Sequence, residues 1–191
     1  MRNRNSDKIS VVLVRHAATA GNRLRRYIGT TDEDIDGTDC LTGVYPPCDT
    51  VVSSPMRRCL QTARYLYPSV PIHISQELRE CDFGDFENKS YEDLKDNPVY
   101  KSWLMSGGRA PFPNGEAHED FKRRCAEGFF KALADCKGKT VAFVIHGGCI
   151  MAVMQTLFGG GFYDYQVKNG CGFKFEMEGG RAYDYSSVGG A

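Results

Sequence analysis

Two short runs constrain this chain more than anything else in it: Ile9–Val14 and Thr140–Ile145 are apolar at nearly every position rather than at alternate ones. A strand with one face in water alternates, so runs of this kind predict a sheet covered on both faces. Asp49–Val52 and Pro71–Ile74 read as two further short strands. Gly172–Met177 and Arg181–Tyr185 alternate around Glu178-Gly179-Gly180 and predict a terminal hairpin. Helical patterns lie between these segments. Met56–Leu66 places Met56, Cys59, Leu60 and Ala63 at helical spacing, Glu116–Cys136 carries Phe121, Cys125, Phe129, Ala132 and Leu133 on one stripe, and Gly147–Phe158 follows the fourth strand directly. Strands alternating with helices predict an α/β fold, a three-layer α/β/α arrangement with a mostly parallel central sheet. The length, 191 residues, fits one domain over 1–191.

The charge balance narrows the function. Lysine plus arginine equals aspartate plus glutamate, 24 against 24, which gives no bulk attraction for nucleic acid or an anionic membrane. Anion binding therefore has to come from a few positioned arginines. The polar start, Met1–Ser6, has no apolar segment behind it and does not read as a secretory signal, so a cytoplasmic location is expected. The 8 cysteines include no Cys-x-x-Cys pair, and several sit inside apolar runs, so they are read as reduced, buried thiols rather than a disulfide or zinc framework. Asp32-Glu33-Asp34-Ile35-Asp36-Gly37 imitates the start of a calcium loop. Its twelfth position is Gly43 rather than glutamate, so it is read as a solvated loop.

In open α/β sheets ligands bind beyond the carboxyl ends of the strands, and four segments place reactive side chains there. His16 follows the first strand beside Arg15. His146 follows the fourth, where Gly147-Gly148 open a helix whose first N–H groups suit an anion. Ser53-Ser54-Pro55 leads into a helix carrying Arg57 and Arg58, and Leu78–Phe86 puts Glu80, Asp82 and Asp85 on a loop after the third strand. His73 and His118 are read as packed or surface residues.

Together these segments resemble the histidine phosphatase superfamily, the group that includes cofactor-dependent phosphoglycerate mutases. Leu13-Val14-Arg15-His16-Ala17-Ala18-Thr19-Ala20-Gly21-Asn22 is similar to the family's Leu-x-Arg-His-Gly-Glu-Thr-x-x-Asn opening. Ser53–Ala63, Leu78–Glu87 and Val144-Ile145-His146-Gly147-Gly148 resemble its later elements in the same order, across almost the whole chain. Two positions depart from the pattern. Ala17 stands where the family usually has glycine, which is tolerable if its backbone has negative φ, and Ala18 stands where it usually has glutamate.

The resemblance implies a phosphoglycerate-mutase-like fold and a phosphomonoesterase that needs no metal or cofactor. A phosphate monoester repels nucleophiles with its own oxygens, so catalysis is mainly their neutralisation and the alignment of attack. In the family's terms His16 is the nucleophile that forms a phosphohistidine, its other ring nitrogen donating to a backbone carbonyl. Arg15 and Arg58 hold the equatorial oxygens, His146 donates to the same oxygens, and Glu80 protonates the leaving oxygen and then activates water, with Asp82 and Asp85 as fallbacks. Asn22, Ile28, Gly29 and Gly147 complete the expected phosphate and substrate contacts, Tyr27–Asp32 resembling the substrate-side loop.

The mutases are typically longer, and Phe83–Glu87 looks like the phosphatase branch. Arg26-Tyr27-Ile28-Gly29, the acid loop and Pro113-Asn114-Gly115-Glu116 are similar to α-ribazole phosphatases of cobalamin assembly. The expected partner is a small phosphorylated metabolite, α-ribazole 5′-phosphate foremost, acted on by a monomer or homodimer. A broad-specificity sugar-phosphate phosphatase, a phosphoglycerate mutase and a non-catalytic phosphoester-binding module are the alternatives. Segment 88–115, with Trp103 and Gly107-Gly108, is either a lid or a packed helical excursion, and Tyr27, Phe83, Phe86 and Trp103 are the aromatic candidates for the pocket.

Overall fold

The computed structural model describes residues 8–136 and 138–190; Met1–Ser6, expected above to be a polar non-signal segment, lies outside them. Six strands form one sheet: β1 (Ile9–Arg15), β2 (Thr50–Ser53), β3 (Ile72–Ile74), β4 (Thr140–Ile145), β5 (Gly172–Glu178) and β6 (Arg181–Val188). Their order across the sheet is β3-β2-β4-β1-β5-β6. β3, β2, β4 and β1 run parallel, while β5 pairs antiparallel with β1 and carries β6 as the expected hairpin. Because the first four strands run the same way, the segments leaving β1, β2, β3 and β4 all emerge at one edge.

The continuous apolar runs are buried on both faces, as their lack of alternation requires. Val11 and Leu13 of β1, with Val141, Phe143 and Ile145 of β4, pack on α5 (His118–Asp135) and α6 (Gly147–Phe158) through Phe121, Cys125, Phe129 and Ile150. Val12, Val14, Ala142 and Val144 face the opposite way, onto Cys59 and Ala63 of α2 (Arg57–Leu66). Leu13 and Val14 are wholly buried. Each such side chain contributes about 1.5–3 kcal/mol by leaving water, and Leu13→Ala would cost about 2–5 kcal/mol with its cavity. The sheet is thereby fixed as the platform for the loops at its edge.

Three short helices complete the chain. α1 (Ala20–Arg23) follows β1 and is capped by the Thr19 hydroxyl, while α3 (Tyr91–Leu94) and α4 (Pro98–Met105) lie between β3 and α5. Asn97 caps α4, and Pro98 occupies its first turn, where no amide donor is needed. Leu94, Tyr100, Trp103 and Phe112 from segment 88–115 are buried in the main core. That segment is therefore a packed helical excursion.

Candidate active site

At the end of β1 the chain turns so that His16 lies under the sheet edge, 3% exposed. Its Nδ1 donates to the Ala17 carbonyl at 2.7 Å, which fixes the tautomer and leaves the lone pair on Nε2. The Ala17 amide donates to Thr62 Oγ1 at 2.9 Å, and Thr62 Oγ1 donates to the Arg58 carbonyl at 2.7 Å, tying the nucleophile loop to α2. Ala17 is not among the residues with positive φ, so its methyl group is tolerated here. Burial, and then the nearby Arg58 and Arg15 charges, hold the His16 imidazole well below its usual range, so it is neutral near pH 7.

His146 ends β4 and stands at the cap position of α6 with extended backbone. Its ring lies edge-on to His16, centroids 5.2 Å apart. It too is held well below the usual imidazole range, by burial first and the Arg58 charge second. Arg58 and His146, both expected at the phosphate, are bonded to each other and to neighbouring groups of the protein. The Arg58 guanidinium, wholly buried, donates to His146 Nδ1 at 3.3 Å, to the Thr31 carbonyl at 2.7 Å and to the Gly29 carbonyl at 2.9 Å. With Nδ1 accepting, His146 Nε2 donates to Ser54 Oγ at 2.8 Å. These two side chains form a polar floor beneath the cavity rather than part of its lining. The reason is local: carbonyls from the loop after α1 reach the guanidinium first.

Arg15 is different. One terminal nitrogen donates to the Val167 carbonyl at 2.8 Å, but its buried Nε has no partner among the described residues. Its side chain lines the cavity beside His16, Asn22, Ile28 and Gly147. A Cβ at Gly147 would come within 3.3 Å of Arg15 Nε, so glycine there keeps the guanidinium approachable. Gly29, expected at the substrate, has its amide donating to Glu87 at 2.8 Å and its carbonyl accepting from Arg58, and a Cβ there would run into the Cys81 carbonyl.

Glu80 is half-buried at the cavity wall and accepts from the Gly148 amide at 3.1 Å and the Cys81 amide at 3.0 Å. The first turn of α6 thus receives this carboxylate, where a phosphate oxygen was expected. Burial pushes the Glu80 carboxyl above its usual range, outweighing the two amides and the Arg58 and Arg15 charges. That favours a protonated acid ready to donate. Asp82 accepts from the Gly84 amide and Asp85 from Asn114, and of the three acids Glu80 alone lines this cavity. Asp32 and Asp34 of the calcium-like run pair with Arg57, and Asp36 with Arg23. Among the described residues, no cluster of three or more His, Cys, Asp or Glu side chains is placed to hold a metal, and no helix is long and apolar enough to cross a membrane.

Above His16 opens a cavity of about 700 Å3. Of the four aromatic candidates, Tyr27, Phe83 and Trp103 line it, whereas Phe86 packs in the core at 1% exposed. Several further residues line it that the sequence does not mark. Phe112 and Phe162 add two more aromatic faces. His118, read from sequence as packed or surface, lines the wall with its ring 4.6 Å from that of Phe162. Asn169 donates to the His16 carbonyl at 3.0 Å and to Asn22 Oδ1 at 3.1 Å. The one sequence signal at Asn169 is an Asn-Gly dipeptide, which marks a turn and nothing more.

A strand-end histidine pair, a buried arginine and a half-buried carboxyl gathered at one cavity define a phosphoryl-transfer site. Residues 11–183 match the model of the histidine phosphatase superfamily (branch 1), and the chain belongs to that superfamily. It is 31% identical over 176 residues to the adenosylcobalamin/alpha-ribazole phosphatase of Salmonella typhimurium, covering 83% of this chain and 86% of that one. The crystal structure of the alpha-ribazole phosphatase from Shigella flexneri superposes with TM-score 0.77 at 25% identity, over 91% of this chain and 93% of that one. A phosphoglycerate mutase from Bacillus anthracis shares the fold, with TM-score 0.72 at 20% identity over 95% and 93% of the two chains. The protein is a phosphoric monoester hydrolase of the histidine phosphatase type.

Proposed function

We propose that the protein hydrolyses a phosphomonoester whose leaving group carries an aromatic ring system, α-ribazole 5′-phosphate being the leading candidate, through a phosphohistidine at His16. In the first step the Nε2 lone pair attacks phosphorus. The P–O bond to the leaving group breaks, and Glu80 gives its proton to the departing oxygen. In the second step water attacks the phosphoryl group, its proton passes to Glu80, and the N–P bond breaks to return neutral His16 and free phosphate. Arg15, with its unpartnered Nε, is the direct phosphate ligand. Arg58 and His146 act from below, by charge and by holding the floor in place, and His146 would have to release Ser54 to donate to phosphate.

The observation that carries the substrate class is the wall: Tyr27, Phe83, Trp103, Phe112, Phe121 and Phe162 line a cavity far larger than a phosphate needs. Such faces favour a planar, apolar group by about 0.5–1.5 kcal/mol per well-placed ring pair, beyond the area they bury. A small sugar or glycerate would leave most of the cavity unfilled. The relative from Salmonella typhimurium, named for α-ribazole, supports the same class.

The test is phosphate release, in excess EDTA, from p-nitrophenyl phosphate and then from a panel including α-ribazole 5′-phosphate and common sugar phosphates. Turnover of p-nitrophenyl phosphate that disappears in His16→Ala, with α-ribazole 5′-phosphate giving the highest kcat/KM, is the expected result. Cleavage of α-ribazole 5′-phosphate no faster than the sugar phosphates would reject the substrate, and turnover surviving in His16→Ala would reject the nucleophile.

A further inference from the structure

Three cations line the cavity that the phosphoryl chemistry does not use. Arg25 and Arg26 come from the turn after α1, and Lys168 from the approach to β5, so two separate segments bring them to the same opening as Arg15 and His16. Their side chains make no hydrogen bond or ion pair among the described residues. Arg23, Arg57, Arg123 and Arg124 each lie against a carboxylate, whereas Arg64, Lys174 and Arg181, like the three, are in no ion pair among the described residues; what sets the three apart is their place on the cavity wall. Glu80 is the one carboxylate on the described cavity wall, and it is engaged with backbone amides. Asp93, the acid that senses the Arg26 charge, is bonded to Ser90 instead.

Arg25 adds a second, independent observation. The Arg25 amide bonds to the Asn22 carbonyl and the Arg26 amide to the Gly21 carbonyl, the paired closure of a helix end in which one residue adopts left-handed backbone. That residue is Arg25, with φ of 56°. Glycine or asparagine fits this position with less strain, and strained backbone clusters where a side chain has work to do at a site. An arginine at this helix-closing position carries its unpaired guanidinium to the cavity, where a ligand can meet it.

We propose that Arg25, Arg26 and Lys168 form a cationic collar that draws the phosphate dianion of the substrate into the aromatic cavity and toward Arg15. This rests on the cavity being the phosphatase site. A neutral chain cannot steer an anion by its net charge, so local charges at the mouth supply the field. Such local fields raise anion encounter and occupancy by about 10–1,000-fold and weaken as salt shortens their reach. The collar also lets apolar walls accept a charged substrate, because the anion is never without a counter-charge on its way in.

The experiment compares wild type with the triple variant Arg25→Gln, Arg26→Gln, Lys168→Gln over an ionic strength of about 20–300 mM, a range across which the screening length falls severalfold. Two readouts are used: kcat and KM for p-nitrophenyl phosphate, and orthovanadate affinity from the fluorescence of Trp103, the single tryptophan, which lies on the cavity wall. Wild type is expected to lose kcat/KM and vanadate affinity steeply with salt. The triple variant starts about tenfold lower, chiefly through KM, and is nearly flat with salt. Equal affinity and equal salt slope in the two proteins would overturn the collar, as would a loss confined to kcat. If wild type turned over no substrate yet bound vanadate with the collar-dependent slope, the collar would stand and the hydrolytic reading would fall. Arg25→Gly guards against misfolding: it is expected to raise Tm by relieving the left-handed backbone while flattening part of the salt dependence. An unchanged slope in that variant would remove Arg25 from the collar.

Discussion

Beneath the cavity, Arg58 divides its guanidinium among His146, Thr31 and Gly29, and His146 passes its remaining donor to Ser54. Around the cavity, Phe83, Trp103 and Phe112 pack on one another and present an aromatic lining, while Arg25, Arg26 and Lys168 offer charges outside any ion pair among the described residues. The floor is a closed polar network in which every member holds another, and it belongs to reaction chemistry shared with any phosphomonoester. The wall comes mostly from loops and the 88–115 excursion, and under the proposed function it selects the leaving group. The difference separates two kinds of residue: those whose loss breaks catalysis of every substrate, and those whose loss changes which substrate is preferred.

The largest effect should come from the floor's reactive atom. His16→Ala is expected to lower kcat on the order of 10,000-fold for every phosphomonoester alike, measured by phosphate release. A loss confined to aromatic substrates would erase the distinction between floor and wall. Arg58→Ala should follow, with kcat down about 100-fold or more. It should also lower stability by about 3–5 kcal/mol in urea melts, because two carbonyls and an imidazole lose their buried partner. Arg58→Lys, which cannot reach three acceptors in a fork, should recover little of either.

Glu80→Gln sharpens the same comparison through pH. The Glu80 carboxyl is raised by burial and must be protonated for the first step, while His16 must be neutral. The wild-type kcat profile should therefore fall on the alkaline side as Glu80 ionises and on the acid side as His16 takes up a proton. Removal of the alkaline limb in Glu80→Gln, with kcat reduced about 100–10,000-fold, is expected. A retained limb would assign it to another group.

On the wall, Trp103→Ala should raise KM for an aryl phosphate about tenfold and leave a small alkyl phosphate within about twofold, in line with the value of one aromatic contact. The smallest effect concerns stability. His16 and His146 are both depressed in the folded protein, so on acidification the unfolded chain takes up their protons first, near its ordinary value of about 6.5. Stability should thus decline as pH falls below that value. Glu80, raised in the fold, works in the opposite sense above about pH 4.5. Melts from pH 7 to 5 in a Glu80→Gln background isolate the histidines, and a shallower decline is expected when His146→Gln is added.

The sequence carried the floor well and the wall poorly, for physical reasons. β1 and β4 are apolar throughout because both faces are covered, so their ends, and with them His16 and His146, were placed from pattern alone. The helices at Arg57–Leu66 and Gly147–Phe158 were likewise foreseen nearly to the residue. What the pattern could not hold was contact. Arg58 reads as a phosphate ligand, and nothing in the pattern shows that it also holds the Thr31 and Gly29 carbonyls, from a loop remote in sequence. Gly148 reads as a free anion site until Glu80 is found there. His118 sits at a helix start with nothing to mark it, and only the approach of Phe162 brings it to the wall. Arg25 looks like a surface charge, and only its positive φ and lack of partner distinguish it.

The most direct test of the central claim is to trap the intermediate. Wild-type enzyme turning over p-nitrophenyl phosphate would be quenched at alkaline pH, where phosphohistidine survives, then digested and analysed by mass spectrometry. One phosphoryl group on the peptide containing His16, absent in His16→Ala, is the expected result. Steady turnover with no phosphoryl adduct at His16, or an adduct on another residue, would contradict it.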